Sequence, residues 1–133
     1  MAINNPYQSY QQNSVNTASP GELTLMLYNG CLKFITIAKK AIAEGKIQEK
    51  NTNLIKAQNI IRELMVTLNM DIAVSKDMMN LYDFMNRRLM EANMKNDLSA
   101  LKEVEELVTD FRDTWKEAIQ MNRKKQFAQS GRV

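Results

Sequence analysis

At 133 residues the chain is long enough for one domain that buries about two thirds of the surface its unfolded form would expose, without cross-links. It has no histidine and one cysteine, Cys31, which excludes phosphohistidine relays, histidine-ligated haem, Glu-x-x-His di-iron bundles, zinc-thiolate clusters and an intramolecular disulfide. The net charge of +3 is mild, no run of about 18 apolar residues occurs, and no basic segment followed by an apolar run opens the chain, so the expectation is a soluble cytosolic protein with neither a membrane nor a nucleic-acid partner.

Residues 1–18 are polar, rich in Asn, Gln and Ser, and too poor in apolar side chains to fold alone. They carry Tyr7 and Tyr10, which share one face of a helical turn and with Val15 could dock as a short cap on the rest of the chain. The other reading is a disordered segment that happens to hold two tyrosines.

A first helix is announced by Ser19-Pro20-Gly21-Glu22, with a hydroxyl at N-cap, proline at N1 and a carboxylate at N3. Leu23, Met26, Leu27, Gly30, Phe34, Ile37, Ala38 and Ala41 fall on one face, Tyr28, Cys31, Ile35 and Ile42 widen it, and Leu25 and Leu32 lie almost opposite. Such a nearly circular apolar surface is either packed on several sides or keeps one side for a partner. Gly45 ends the helix near Glu44.

The second helix is expected from between Ile47 and Asn51 to about Ile72, on a stripe running from Leu54 through Ile61 and Leu68, with Ile55, Val66 and Met70 off it. Ser75 or Asp77 would cap a third helix from about Met78 to Lys95, whose stripe is Met78, Leu81, Tyr82, Met85, Leu89 and Ala92. Met79, Met90 and Met94 lie off that stripe, and flexible, polarisable methionines suit both irregular cores and adaptable apolar binding surfaces. Asp83 with Arg87 and Glu91 with Lys95 read as a solvated face, while Arg88 borders the stripe within reach of a neighbouring carboxylate or a partner.

Asn96 and Asp97 form a corner, and a fourth helix follows from Leu98 to about Arg123, with Leu101, Val104, Leu107, Val108, Phe111, Trp115, Ala118 and Ile119 on one face. Four helices on short corners make an all-α, antiparallel up-down four-helix bundle over residues 19–123. A mostly irregular segment precedes it and a flexible basic tail, 124–133, follows. No phosphate loop, nucleophile elbow or EF-hand loop is present, so neither cofactor nor metal is expected. An anion-binding enzyme would have to use Arg62, Arg87 and Arg88, but Arg87 sits on a polar face beside its own acidic neighbour.

Two stretches resemble a known family, the flagellar secretion chaperones called FliS. PYQSYQQNSVNTASPGELTLMLYNGCLKFI holds the aromatic pair, the Val-x-Thr-Ala-Ser-Pro lead-in and the Met-Leu-Tyr-x-Gly of the family in order and spacing. LYDFMNRRLMEANMKND with EVEELVTDFRDTWKEA is similar to its third and fourth helices. Asn29 and Lys46 depart from residues common in the family, where acidic side chains are frequent. The resemblance implies a non-enzymatic cytosolic export chaperone. It would bind the disordered C-terminal segment of flagellin, prevent premature polymerisation and help deliver the cargo to the flagellar type III export gate, its N-terminal segment covering part of the binding surface when cargo is absent. With the surplus apolar surface, this makes Tyr7, Tyr10, Leu25, Leu32, Ile55, Met79, Met90 and Met94 the expected partner-binding residues. A homodimer without cargo is compatible with an empty groove. The alternative is a helical adaptor bundle for a different amphipathic-helix partner.

Overall fold

The computed structural model describes residues 19–130, with side-chain surroundings through residue 128. It contains four helices and, among the described residues, no strand: α1 (Pro20–Ala43), α2 (Ile47–Val66), α3 (Ala73–Lys95) and α4 (Leu98–Ser130). Helix α1 packs on α2 and α4, and α3 packs on the same two, which closes a ring of four. Contacts between helix ends set the directions. Lys50, in the first turn of α2, donates to the carbonyl of Asn93 and to Asn96 at the end of α3. Lys39, late in α1, meets Glu105 early in α4 at 2.8 Å, while Trp115, farther along α4, reaches Gly21 at the start of α1. Each helix therefore runs antiparallel to both neighbours.

The core lies along the axis, where Tyr28, Cys31, Ile35, Leu54, Ile61, Leu64, Tyr82, Met85, Leu89, Leu101, Val104 and Val108 are almost wholly buried. On α1 the buried line runs Tyr28, Cys31, Ile35, Ala38, so three of the residues that widened the expected face, Tyr28, Cys31 and Ile35, form its centre, while Leu27, Phe34 and Ile42 pack at its edges. The α1–α2 contact is close because Gly30 is buried against α2: a Cβ there would stand 3.2 Å from Ile60 Cδ1.

Local chemistry sets most helix ends. The Ser19 hydroxyl accepts from the Glu22 amide at 3.2 Å, while the Glu22 carboxylate turns to Arg123 instead of closing the capping box. Helix α1 stops in a Schellman arrangement, Lys46 N–H to the Ala41 carbonyl and Gly45 N–H to that of Ile42, with Gly45 at φ 71°. Nothing approaches within 4 Å of a Cβ built at Gly45. Gly45→Ala is therefore expected to cost about 1 kcal/mol from backbone strain alone, read as a lowered thermal midpoint with no change in helix content. At the last corner Asn96 adopts φ 54° and Asp97 Oδ1 accepts from the Ala100 amide, as their residue types suggest.

Three boundaries differ from the pattern-based expectation. Helix α2 ends at Val66, six residues before Ile72, because the Thr67 hydroxyl bonds back to the Leu64 carbonyl and Asn69 Oδ1 accepts from the Asp71 amide, which turns the chain. Helix α3 begins at Ala73; its N-cap position is Ile72 without a side-chain cap, and Ser75 lies buried in the first turn rather than capping from outside. Helix α4 continues to Ser130, past Arg123 and through most of the expected flexible tail, since Lys124, Lys125, Gln126 and Ala128 all favour helix and no Gly or Pro occurs before Gly131. Residues 120–128 are exposed, as α4 outruns the helices that could cover it, and Ala118, expected in the core, is exposed although its neighbour Ile119 still packs by Gly21.

Candidate partner-binding surface

The bundle opens into an apolar cavity of about 240 Å³ at the end where α1 starts and α2 turns into α3. Thr24 and Tyr28 of α1, Leu68, Asn69 and Ile72 of the corner, Val74, Ser75, Met78 and Tyr82 of α3, and Trp115 of α4 contribute its walls. Its position follows from the early end of α2: the six residues between α2 and α3 hold the two helices apart where a continuous helix would have filled the gap.

At the wall nearest the core the hydroxyls of Tyr28 and Tyr82 meet at 2.6 Å, and Phe111 sets its ring edge-on to both, at centroid distances of 6.2 and 5.9 Å. Burial pushes both phenols above their ordinary range; the mutual hydrogen bond raises Tyr82 further and partly offsets the rise at Tyr28. Both are therefore neutral at pH 7, one donating to the other. The Trp115 indole N–H donates to the Gly21 carbonyl at 2.8 Å, which anchors that wall. Ile72 and Val74 in its wall are each more than half exposed, as is Met70 in the same corner, and Val66 at the end of α2 is 80% exposed. A surface of this kind suits apolar side chains presented by a partner helix, with hydroxyls in reach of one polar tip.

The residues singled out from the sequence are not gathered into one place. Leu32 lies in the outer groove between α1 and α4, beside Glu105, Glu106 and Thr109, and Leu25, two turns earlier on the same line of α1, is half-buried. Ile55 is 51% exposed and sits about 140° round α2 from Ile60, the residue that meets α1, so it belongs to the side of the bundle shared with α3. Half-buried Met79 and exposed Met90 lie roughly opposite Arg88 on α3, whose contact with Glu103 at 3.0 Å marks the flank toward α4. Met94 is 78% exposed. Tyr7 and Tyr10 lie outside the described residues.

The mouth residues Ile72 and Val74 were absent from that set, although a signal for them exists. From Val66 to Val74 apolar and polar residues alternate, with Val66, Leu68, Met70, Ile72 and Val74 at every second position, broken only by Ala73. A period of two cannot continue a helix stripe. Among the described residues no cluster of three or more potential metal ligands occurs, and no helix is long and apolar enough to cross a membrane.

The described residues thus form a four-helix bundle with an apolar concavity at one end, beside an exposed corner. Comparison with known proteins is more specific. Residues 3–122 match the family model described as flagellar protein FliS. The chain is 63% identical, over 98% of both chains, to the flagellar secretion chaperone FliS of Bacillus subtilis (strain 168), and 36% identical to that of Escherichia coli (strain K12), covering 84% of this chain and 88% of the relative. It therefore belongs to the FliS family of flagellar secretion chaperones. A solved structure described as a flagellar chaperone from bacteria shares the fold at a TM-score of 0.71 and 22% identity, covering 86% of this chain and 95% of that one.

Proposed function

We propose that this protein is a cytosolic chaperone that binds the disordered C-terminal segment of flagellin, keeps it from polymerising early and helps deliver it to the flagellar type III export gate. The observation that carries the reading is the end cavity with the exposed apolar side chains of Ile72 and Val74 in its wall. An amphipathic segment that folds as it binds loses about 2–5 kcal/mol or more in ordering, so it needs a long, mainly apolar contact of the kind this corner begins. Catalysis has no part in the reading, and release is assigned to competition at the export gate. The chain before Ser19 joins α1 less than two turns from Thr24 on the cavity wall, so Tyr7 and Tyr10 are proposed to compete with cargo for the same surface.

Titration calorimetry with the flagellin C-terminal segment tests this. Binding should show a negative heat-capacity change from apolar burial. The double variant Ile72→Asp with Val74→Asp changes exposed positions, so melting should be nearly unchanged while affinity falls about tenfold or more, equal to about 1.4 kcal/mol. Tyr7→Ala with Tyr10→Ala should tighten binding. Full-length flagellin that binds no better than a form lacking its C-terminal segment would overturn the proposal.

A further inference from the structure

The outer face of α4 carries a feature that the end cavity does not use. Six of the chain's fifteen acidic residues fall between 103 and 117, against two cations there, in a protein whose net charge is +3. Glu103 is held by Arg88, Glu105 by Lys39, and Asp113 by its neighbour Arg112. Glu106, Asp110 and Glu117 have no ion pair among the described residues. With Asp113 they follow the spacing i, i+4, i+7, i+11, which stacks four carboxylates in one line along the exposed side of the helix.

Glu106 and Asp110 stand on a ridge between two grooves, because both residues line each of them. The groove toward α1 is the more polar of the two, with Thr36, Glu105, Thr109 and Arg112 around Leu32. The groove toward α3 has an apolar floor of Leu81, Phe84 and Leu107 and a volume of about 420 Å³, with Glu103 completing its rim. Leu81 is 37% exposed in it. An apolar floor bordered by Glu106 and Asp110, which have no ion pair among the described residues, fits an occupant that presents apolar side chains on one side and ammonium or guanidinium groups beside them. Like charges at i, i+4 also lower helix stability, a cost that a cationic occupant removes.

We infer that the α3–α4 groove and the Glu106–Asp110 ridge form a second docking surface, separate from the end cavity, for a lysine- or arginine-rich amphipathic helix of a partner protein. The charges steer the encounter and the groove holds the apolar face, so binding weakens with ionic strength without vanishing.

The test uses the full chain and three labelled 18-residue peptides: an amphipathic leucine–lysine helix, its leucine–glutamate counterpart, and a lysine–alanine peptide of equal charge. Anisotropy should rank the leucine–lysine peptide about tenfold tighter than the lysine–alanine one, with the glutamate peptide not bound. Glu106→Gln with Asp110→Asn should weaken the leucine–lysine peptide about tenfold, and Leu81→Asn should weaken it severalfold. The charge variant should melt at or slightly above the parent temperature and bind the flagellin segment unchanged. Equal binding of the leucine–lysine and lysine–alanine peptides would overturn the groove, and full binding by the Glu106→Gln, Asp110→Asn variant would overturn the ridge. A salt-sensitive dimer of the free protein, lost in that variant, would assign the surface to a second copy and overturn the choice of partner.

Discussion

Raising the pH above 9 should unfold the protein progressively, and Cys31 should carry a large share of the loss. Its side chain is fully buried on α1, and burial pushes the thiol up to about 12 from an ordinary value of 9.0. The unfolded chain releases this proton first. Stability from the neutral thiol is therefore complete below pH 9 and drains as the pH climbs to about 12, by about 4 kcal/mol in total. Tyr28 and Tyr82 act in the same direction from their ordinary value of 10.0 upward, since burial raises both. Urea midpoints at pH 8, 10 and 11 would check this. Cys31→Ala should start lower, having lost a buried sulfur, but fall less steeply between pH 9 and 11. Parallel pH curves for the two proteins would mean that the thiol is not the group responsible. The same burial should leave Cys31 inert to alkylation in the folded protein at pH 7.5.

Trp115→Ala should cost about 3 kcal/mol, the low end for loss of a large aromatic, because the ring is only half-buried although it packs against the core cluster. Part of the cost is the hydrogen bond to the Gly21 carbonyl, which ties α4 to the first turn of α1. Trp115 also forms one wall of the end cavity, so binding of the proposed flagellin cargo should weaken in the variant even where it remains folded. Trp115→Phe separates the two effects. It keeps most of the packing and loses the indole N–H, so stability should fall by about 1 kcal/mol while binding is largely kept. Denaturant melts with calorimetry at 10 °C would distinguish these outcomes.

The ends of α1 and the corner before α4 were legible from sequence because they rest on local chemistry. Ser19 caps its own helix, Gly45 takes the left-handed conformation that a Schellman motif needs, and Asn96 and Asp97 divide the last corner between an αL residue and a cap. The all-α class and the bundle core followed in the same way from helix periodicity in α2, α3 and α4, and the family was recognisable from two motif-bearing stretches. The end of α2 was misplaced because Leu68 and Ile72 continue its stripe by spacing, while the turn bonds of Thr67 and Asn69 end it. That turn creates the cavity, so its rim could not be recovered from a pattern that assumed an unbroken helix. Only the tertiary structure decided which stray apolar residues adjoin one another: Leu32 went to the α1–α4 side, Ile55, Met79 and Met90 to the α2–α3 side, and Met94 to solvent. A helical period assigns each residue an angle on its own helix, but the direction of that angle is set by which neighbours pack where. Those neighbours were fixed by contacts far apart in sequence, such as Tyr28 with Tyr82 and Trp115 with Gly21.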